Sequence, residues 1–293
     1  LQNVCPVAKF LLFADDTAIF YSASSKNELE MIINQSFPKI TVWLHANRLS
    51  LSVHKTTYQI YSNDSADKNI CIPVPKGRIL HADTVKYLGV LIDENLKFKS
   101  HINKVSGLIS RQIGIIGRAR YLLNTQLLTL LYNSLILPHL SYCVCIWGSN
   151  YPSTIQPIIV AQKRAVRVIA GVPPMTHTSP IFRELGLLKF NDLVQYQLLN
   201  VLHDFLRARL PDPIAAKFAL NNPTRVTRTS QHFSEQARSL SGHAIPNYRL
   251  CNYRQFTLFA KAPKVWNSVL ASRIPDLQDV PFTKSFFKKV VKR

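Results

Sequence analysis

Hydrophobic and polar positions along the chain change their period near residue 100. Residues 9–22, KFLLFADDTAIFYS, form two apolar runs around a short acidic tip, a pattern that predicts a β-hairpin. From Ser25 to Ala46, apolar residues recur at steps of three and four, which predicts a helix with a potential kink or break at Pro38. The segment 49–62 then alternates in the manner of strands.

Two more runs rich in β-branched residues follow, ICIPVP (70–75) and TVKYLGVLI (84–92). Together they predict another hairpin, with Gly89 where the backbone bends or approaches another group closely. The first third of the chain is therefore predicted to be α+β. Beyond it, apolar residues at helical spacing occupy 101–123, 126–137 and 157–170.

The stripe predicted for 101–123 consists of Ile102, Val105, Leu108, Ile109, Ile113, Ile116 and Leu122. Pro173-Pro174 is a predicted boundary, and the stretch from Pro211 to Gly242 is predicted to be a linker or an irregular region. A chain of 293 residues with 47% hydrophobic content can bury a sizeable core. Its length favours two or more folded units. Its composition, with 47% hydrophobic and 18% charged residues, excludes disorder of the whole chain.

The net charge of the chain indicates what kind of partner it binds. The chain has 36 Lys and Arg against 16 Asp and Glu, a net charge of +20, and no acidic residue lies between Glu94 and Glu184. A surface of this composition attracts a polyanion. The five cysteines fit neither a disulfide framework nor a zinc site, which predicts a reducing compartment; they are Cys5, Cys71, Cys143, Cys145 and Cys251.

A membrane helix is an alternative for the charge-free stretch from Tyr121 to Gln162. Polar or helix-breaking residues interrupt this stretch about every fourth position, which favours a buried helix instead. The chain begins at Leu1 with neither an initiator Met nor a charged-then-apolar leader. No signal peptide is predicted, and a start inside a longer protein is compatible with this beginning.

Two adjacent carboxylates, Asp15 and Asp16, occupy the tip of the first predicted hairpin. Adjacent acids are common in ordinary turns. Here, however, they interrupt two apolar strands, and Lys9 is the nearest basic residue in the sequence. Like charges held side by side repel each other unless a cation lies between them. Magnesium, which binds one or two carboxylates together with substrate phosphates, would satisfy the pair.

The F-A-D-D box between apolar strands resembles the catalytic hairpin of reverse transcriptases. Residues 43–58 are similar to the segment that follows this hairpin in the polymerases of non-LTR (LINE-type) retrotransposons, and VKYLGVLID (85–93) resembles their primer-grip strand. Three later runs are similar to the C-terminal half of such proteins: LLYNSLILPHLSYCVCIWG (130–148), QKRAVRVIAG (162–171) and KVWN (264–267).

This resemblance implies an RNA-directed DNA polymerase that uses an RNA template, a DNA primer, their RNA–DNA duplex and dNTPs. Two Mg²⁺ ions would act, one lowering the pKa of the primer 3′-hydroxyl and one stabilising the pyrophosphate. Asp15 and Asp16 correspond to the hairpin carboxylates that bind metal. The family's third aspartate and its fingers have no counterpart in this chain, so we expect a fragment that is inactive in isolation.

The same resemblance implies an α+β arrangement in three parts: a partial palm (1–100), a helical thumb (101–175) and a basic, mainly helical C-terminal region (176–293). It also implies an intracellular protein with access to the nucleus and without a membrane partner. A catalytically inactive, nucleic-acid-binding remnant of such an element is the alternative function.

Further positions match functional ones in the family. Lys55 matches the residue associated with protonating the pyrophosphate, and an ordinary solvated lysine is an equal alternative. Tyr87, Leu88 and Gly89 match the primer grip, and they would equally suit a core hairpin.

Basic side chains recur on one face of the helix predicted after residue 100. Lys104, Arg111 and Arg118 share this face with Gly107 and Gly114. Because each glycine costs a helix about 1 kcal/mol relative to alanine, close approach of a phosphate backbone would explain them. A solvated basic face with incidental glycines is the alternative.

A second basic cluster could extend the same groove: Lys163, Arg164 and Arg167, on a helix that Gly171 caps. A third mixes cations with aromatics between Tyr248 and Trp266; stacking on bases is one interpretation, and the core of a small helical unit is the favoured one. The tail FTKSFFKKVVKR (282–293) is interpreted as solvated charge. Neither Cys143 with Cys145 nor His232, His243 and Cys251 has the spacing of a structural zinc site, and no zinc knuckle is present.

Overall fold

The computed structural model describes residues 2–62, 69–74, 77–216, 218 and 257–273. The chain divides into two compact units, one ending at Leu96 and the other beginning at Lys97. The described strands and one long helix belong to the first unit, and the described part of the second unit is helical. The predicted α+β class is confirmed.

The acidic tip lies in the predicted hairpin. Strand β1 (Lys9–Phe13) pairs antiparallel with β2 (Asp16–Phe20), and Phe13 lies opposite Asp16. The connecting loop is therefore only Ala14 and Asp15. Ala14 has a φ of +51°, the sign that a type II′ turn requires at the first of its two central residues.

The first helix, α1 (Lys26–Ala46), runs through Pro38 without a break. Pro38 lies on the exposed side of the helix, where water can satisfy the carbonyl that loses its partner. At the start of α1 the Ser25 hydroxyl accepts a hydrogen bond of 3.3 Å from the Glu28 N–H, and the Glu28 carboxylate accepts one of 2.9 Å from the Ser24 N–H. These reciprocal bonds fix the helix boundary close to the predicted one.

The strand predicted for 49–62 is largely wrong. Strand β3 is only Thr57–Tyr58, and it pairs in parallel with β6 (Leu80–His81). Before it, the Ser52 carbonyl accepts hydrogen bonds from the backbone N–H groups of Lys55 and Thr56 and from the Thr56 hydroxyl. This local turn competes with strand pairing, which an alternating pattern alone does not reveal.

The runs at 70–75 and 84–92 do not pair with each other. Strand β4 (Pro73–Val74) pairs with β5 (Gly77–Arg78), which lies beyond the first run. Strand β7 (Thr84–Tyr87) pairs with β8 (Val90–Asp93), so only the second run contains both strands of a hairpin. The β7–β8 loop is Leu88 and Gly89, with φ of +43° and +84°. Positive φ at both central residues is the requirement of a type I′ turn, and it confirms the predicted bend at Gly89.

The core of the first unit lies between α1 and the surrounding strands and loops. Partly buried residues of β1 and β2, among them Phe10 and Ile19, pack against it. Its buried members are Cys5, Ala8, Ile33, Phe37, Ile40, Ile70, Ile72 and Ile79.

Two long helices that pack against each other dominate the second unit. They are α2 (Lys99–Ala119) and α6 (Pro152–Ala170). Short helices connect them: α3 (Thr125–Leu135), α4 (Leu137–Ser141) and α5 (Val144–Trp147). After α6 follow α7 (Ser179–Glu184), α8 (Phe190–Leu206), α9 (Asp212–Ala215) and α10 (Leu258–Arg273).

The predicted apolar stripe of α2 is confirmed at its centre and wrong at its end. The side chains of Ile102, Val105, Ile109, Ile113 and Ile116 are buried. Leu122 is 88% exposed because α2 ends at Ala119 and the chain turns before α3. The helical spacing of apolar residues in the sequence therefore continues beyond Ala119, where α2 itself ends.

The charge-free stretch forms α3, α4, α5 and the start of α6. One face of these helices enters the core of the second unit, with buried side chains at Leu128, Tyr132, Ile136, Leu140, Val144, Trp147, Ile155 and Ile158. Trp147 is fully buried, its indole N–H donates to the Tyr142 carbonyl at 2.9 Å, and its ring stacks on Phe190. Within the described ranges, no helix has the length and apolarity needed to cross a membrane. The interpretation as buried helix is confirmed.

Part of the late cation and aromatic cluster is described. In α10, Trp266 is buried, and Phe259 lies 5.1 Å from the Phe218 ring, measured between centroids. Helix α10 packs on α8, so these aromatics belong to a helical core, as favoured. The cluster's residues from Tyr248 to Phe256, the tail 282–293, and His232, His243 and Cys251 lie outside the described residues.

Candidate metal and nucleic-acid sites

The hairpin exposes both of its carboxylates. Asp15 is in the loop, Asp16 begins β2, and both side chains are exposed. Three apolar side chains before them, Leu11, Leu12 and Phe13, are also exposed, with more than half of the surface of each accessible. The tip therefore combines two acids with an uncovered apolar surface.

The donor set at this tip suits part of a magnesium site. Exposed carboxylate oxygens are the ligands that Mg²⁺ prefers, and one or two protein carboxylates suffice when substrate phosphates complete the shell. Among the described residues, no third His, Cys, Asp or Glu joins Asp15 and Asp16 in a group of possible ligands. The pair fits a shared site to which another segment or a substrate contributes.

Two other predicted active-site elements lie in the same unit. Lys55 is exposed in the turn after α1. Tyr87, Leu88 and Gly89 form the tip of the β7–β8 hairpin and are half-buried. The β1–β2 and β7–β8 hairpins are separate two-stranded sheets.

The basic face predicted on α2 exists. Lys104, Arg111 and Arg118 are exposed, and so are Gly107 and Gly114, on the side of the helix opposite the buried stripe. A Cβ placed on either glycine would meet no atom within 4 Å. Packing inside the chain therefore does not explain these glycines, and the face is smooth enough for another molecule to approach the backbone.

The predicted cluster on α6 is divided. Gly171 ends the helix with a φ of +67°, and the Val172 N–H donates to the Arg167 carbonyl at 3.1 Å, as in a glycine C-cap. Lys163 and Arg167 line an open cleft, while Arg164 is exposed outside it. The Arg167 Nε–H donates to the Thr176 carbonyl at 2.9 Å, which ties α6 to the loop before α7.

The cleft lies between α6, the loop at 172–178, α7 and the start of α8, and its volume is about 480 Å³. Its lining also includes a lysine and an aspartate that were not predicted, Lys189 and Asp192. Burial raises the pKa of the half-buried Asp192 carboxyl, and the nearby Lys189 partly offsets this effect. Neither residue lies in a predicted basic cluster of the sequence. Both reach the cleft because folding brings the start of α8 beside α6.

A buried glutamine holds this arrangement. The Gln162 amide donates to the Tyr132 hydroxyl at 2.9 Å and to the Leu188 carbonyl at 3.0 Å, and it accepts from the Phe190 N–H at 2.8 Å. Burial raises the pKa of Tyr132 to about 12, although the bond from Gln162 acts in the opposite direction. The network fixes the start of α8 against α6 and α3.

Sequence reasoning also missed a group in the first unit. One nitrogen and two carboxylate oxygens of His81, Asp83 and Glu94 lie within 4.8 Å of one another. The His81 Nε2 is 2.6 Å from Glu94 Oε1, and Nδ1 is 3.7 Å from Asp83 Oδ1. Both ring nitrogens thus face carboxylates, and the hydrogen bond between His81 and Glu94 connects β6 to the end of β8.

No cysteine among the described residues belongs to a group of three or more possible metal ligands. Cys5, Cys71, Cys143 and Cys145 are free thiols. Burial raises the pKa of the Cys145 thiol to about 12, so this residue stays protonated and does not offer a thiolate ligand.

Comparisons with known proteins agree with the resemblance carried by the hairpin. The chain is 24% identical over 188 residues to the RNA-directed DNA polymerase from mobile element jockey of Drosophila melanogaster, which covers 62% of this chain and 20% of that protein. It is 26% identical over 183 residues to the probable RNA-directed DNA polymerase from transposon BS of the same organism, covering 60% and 20%. The chain is related to the reverse transcriptases of non-LTR retrotransposons.

A third protein similar to this chain comes from another insect. The Pol polyprotein from type-1 retrotransposable element R1 2 of Nasonia vitripennis is 25% identical over 143 residues, covering 46% of this chain and 35% of that protein. No protein-family model and no solved structure matches the chain. The chain spans about one fifth of the length of the jockey and BS reverse transcriptases that it matches.

Proposed function

We propose that this chain supplies the metal-binding hairpin and part of the duplex-binding surface of an RNA-directed DNA polymerase from a non-LTR retrotransposon. The observation that supports the proposal most is the position of Asp15 and Asp16, both exposed at a two-residue turn of a hairpin. The relatives named as RNA-directed DNA polymerases support the reaction class. The substrates would be an RNA template, a DNA primer and dNTPs.

In this proposal Asp15 and Asp16 hold divalent magnesium with a third carboxylate from outside this chain. Bound magnesium would supply charge neutralisation at the primer end and the phosphates. The two carboxylates would supply oxygen ligands, and the short β1–β2 loop would hold them in a fixed position relative to the strands. Lys55 would donate a proton to the pyrophosphate, as its exposed ammonium allows.

The first unit would form part of the palm, and α2 and α6 would belong to the thumb. The exposed apolar side chains on the hairpin support this assignment. A two-stranded sheet is only marginally stable by itself, so we expect its uncovered apolar face to pack against further residues of a palm. Residues of the longer polymerase would cover this surface. The β7–β8 turn, where two consecutive residues have positive φ, would present main chain to the primer as a grip.

The smooth basic face of α2 would lie along the primer–template duplex. Lys104, Arg111 and Arg118 would contact phosphates, while the backbone at Gly107 and Gly114 allows close approach. These contacts position the duplex and read no bases. Lys163, Arg164 and Arg167 lie on α6, the helix that packs on α2, and they would extend the nucleic-acid-binding surface beyond the duplex face of α2.

Binding of an RNA-template and DNA-primer hybrid to the 293-residue chain, followed by fluorescence anisotropy at several salt concentrations, tests this function. Changing Lys104, Arg111 and Arg118 together to Gln should reduce the slope of log K against log salt by up to about 3. The matched control changes three exposed arginines elsewhere, Arg183, Arg207 and Arg209, to Gln and removes the same charge. Equal effects of the two triple variants would contradict a duplex site on α2.

Primer extension, together with the dependence of hybrid binding on divalent metal, distinguishes the polymerase from its alternative, an inactive nucleic-acid-binding remnant. We expect the isolated chain to bind the hybrid without extending the primer, because a further carboxylate and a nucleotide-holding region are required. Extension by the isolated chain that is lost on Asp15→Asn would contradict the need for further residues and would still support the polymerase. Hybrid binding that is indifferent to divalent metal would favour the remnant.

A further inference from the structure

The cleft beside α6 has a composition suited to an anionic, partly apolar ligand. Three cations, Lys163, Arg167 and Lys189, line it against one carboxylate, Asp192. Its apolar lining includes the half-buried Ile159 together with Phe190, which is only 1% exposed and is held in place by stacking on Trp147. Such a combination of a firm apolar wall and a few placed charges is typical of ligand clefts.

The Arg167 side chain is held in a position where it can bind an anion in the cleft. Its Nε–H is already bonded to the Thr176 carbonyl, which restricts the guanidinium at the cleft. Among the described residues it has no other side-chain hydrogen bond, so its terminal nitrogens can donate to a phosphate. Lys189 reaches the same cleft from the start of α8, whose position Gln162 fixes through the Phe190 N–H.

Size distinguishes a single nucleotide from a duplex. The volume of about 480 Å³ lies within the range of roughly 300 to 1,000 Å³ found for small-molecule clefts. A double helix, whose major groove alone is about 12 Å wide, cannot enter such a space, whereas one nucleotide can. Met175 at the margin is 95% exposed, and its flexible thioether can adapt to a flat base.

We propose that this cleft binds one unpaired nucleotide of a nucleic-acid strand, with the phosphate at Lys163, Arg167 and Lys189 and the base against the apolar wall. The inference rests on the proposed nucleic-acid function and adds a second kind of contact to it. The face of α2 follows a duplex, and the cleft holds a strand where it is single.

The test compares two oligonucleotides with the 293-residue chain by fluorescence anisotropy. One is oligothymidylate of about ten nucleotides, a length within the usual footprint of single-strand sites, and the other is an RNA–DNA hybrid of equal length. Asn191→Trp fills the cleft without changing charge, since Asn191 lines it and is exposed. The matched control is Gln195→Trp, one turn further along α8 and exposed outside the cleft.

Asn191→Trp should weaken oligothymidylate binding by about fivefold or more, with hybrid binding unchanged within about twofold. Gln195→Trp should change neither. A charge test is independent of the added bulk: Lys189→Gln should reduce the single-strand salt slope by about 0.7, and Arg183→Gln, outside the cleft on α7, should reduce it less.

Equal single-strand affinities of the two Trp variants would overturn the cleft inference and leave the proposed function standing. Equal weakening of single-strand and hybrid binding by Asn191→Trp would also overturn it, because a general surface effect would explain the result. A wild-type chain that binds neither oligonucleotide would contradict the proposed function itself. Circular dichroism of each variant confirms that α8 is intact.

Discussion

The backbone N–H of Phe190 donates a 2.8 Å hydrogen bond to the buried side-chain oxygen of Gln162. One polar side chain inside an apolar helix face thereby fixes where the next long helix begins. The same amide donates to Tyr132 and to the Leu188 carbonyl. Three elements of the second unit depend on a residue that no hydrophobic pattern would select.

Replacing Gln162 with Leu should lower the free energy of unfolding by about 2–4 kcal/mol, because the Phe190 N–H and the Leu188 carbonyl would lose a partner inside the core. The control is Gln156→Leu on the same helix, where the side chain is exposed and the change should be within about 0.5 kcal/mol. Urea unfolding measures both. Similar losses in the two variants would show that the network adds nothing.

Glycines of the second unit should respond in opposite ways to alanine. At Gly107 and Gly114 a Cβ meets open space, so each change should stabilise the chain by about 0.5–1 kcal/mol. At Gly148 a Cβ would lie 2.5 Å from Val144 Cγ2 and 2.6 Å from its carbonyl oxygen, so this change should destabilise by about 1–3 kcal/mol.

The α2 glycines also test function. If a phosphate backbone approaches them closely, Gly107→Ala with Gly114→Ala should weaken hybrid binding while raising the melting temperature. A more stable double variant with unchanged affinity would show that the glycines are incidental.

The hairpin's exposed apolar surface should contribute little to the stability of the isolated chain. Changing Leu11 and Phe13 to Thr should alter the free energy of unfolding by less than about 0.5 kcal/mol, because both side chains are mostly exposed. Ile33→Ala, in the core that the same hairpin covers, should cost about 2–5 kcal/mol. Chemical denaturation gives both values. A large loss in the Thr variant would mean that this surface is already packed within the chain.

Much of this fold follows from local pattern, and the remainder depends on contacts distant in sequence. The β1–β2 hairpin and the buried face of α2 were predictable because strong periodicity agrees with the final packing. The strand expected at 49–62 was not, because backbone bonds to Ser52 form a turn there. Leu122 kept the helical spacing but lies beyond the last turn.

The candidate sites divide in the same way. Asp15 and Asp16 are neighbours in sequence, so the pattern revealed them. Lys189 and Arg167 line the same cleft only after α8 folds back on α6, and His81 meets Glu94 only after β7 and β8 pair. A sequence read segment by segment contains no signal for either pair.

Acid should destabilise the chain through His101. Burial, and to a lesser extent Lys104, lowers the pKa of this imidazole, which packs edge-on against Trp147. The unfolded chain, with an ordinary pKa of about 6.5, takes up the proton first as pH falls. The His101 contribution is therefore complete above about pH 6.5 and is lost as pH falls below it, toward the folded pKa. In His101→Phe, urea unfolding between about pH 7 and 5 should show a smaller loss than in the wild type; parallel curves would contradict this.

Manganese is a paramagnetic substitute for magnesium that broadens nearby signals, so it can show whether divalent metal binds at Asp15 and Asp16. Methyl spectra of the alanine-labelled chain, bound to the RNA–DNA hybrid, report on both candidate metal groups: Ala14 and Ala18 flank the hairpin acids, and Ala82 lies between His81 and Asp83. As Mn²⁺ is added, Ala14 and Ala18 should broaden first, and Asp15→Asn with Asp16→Asn should abolish this effect. Metal binding at Asp15 and Asp16 would be contradicted if Ala82 broadened first, or if Ala14 and Ala18 still broadened in the doubly substituted chain.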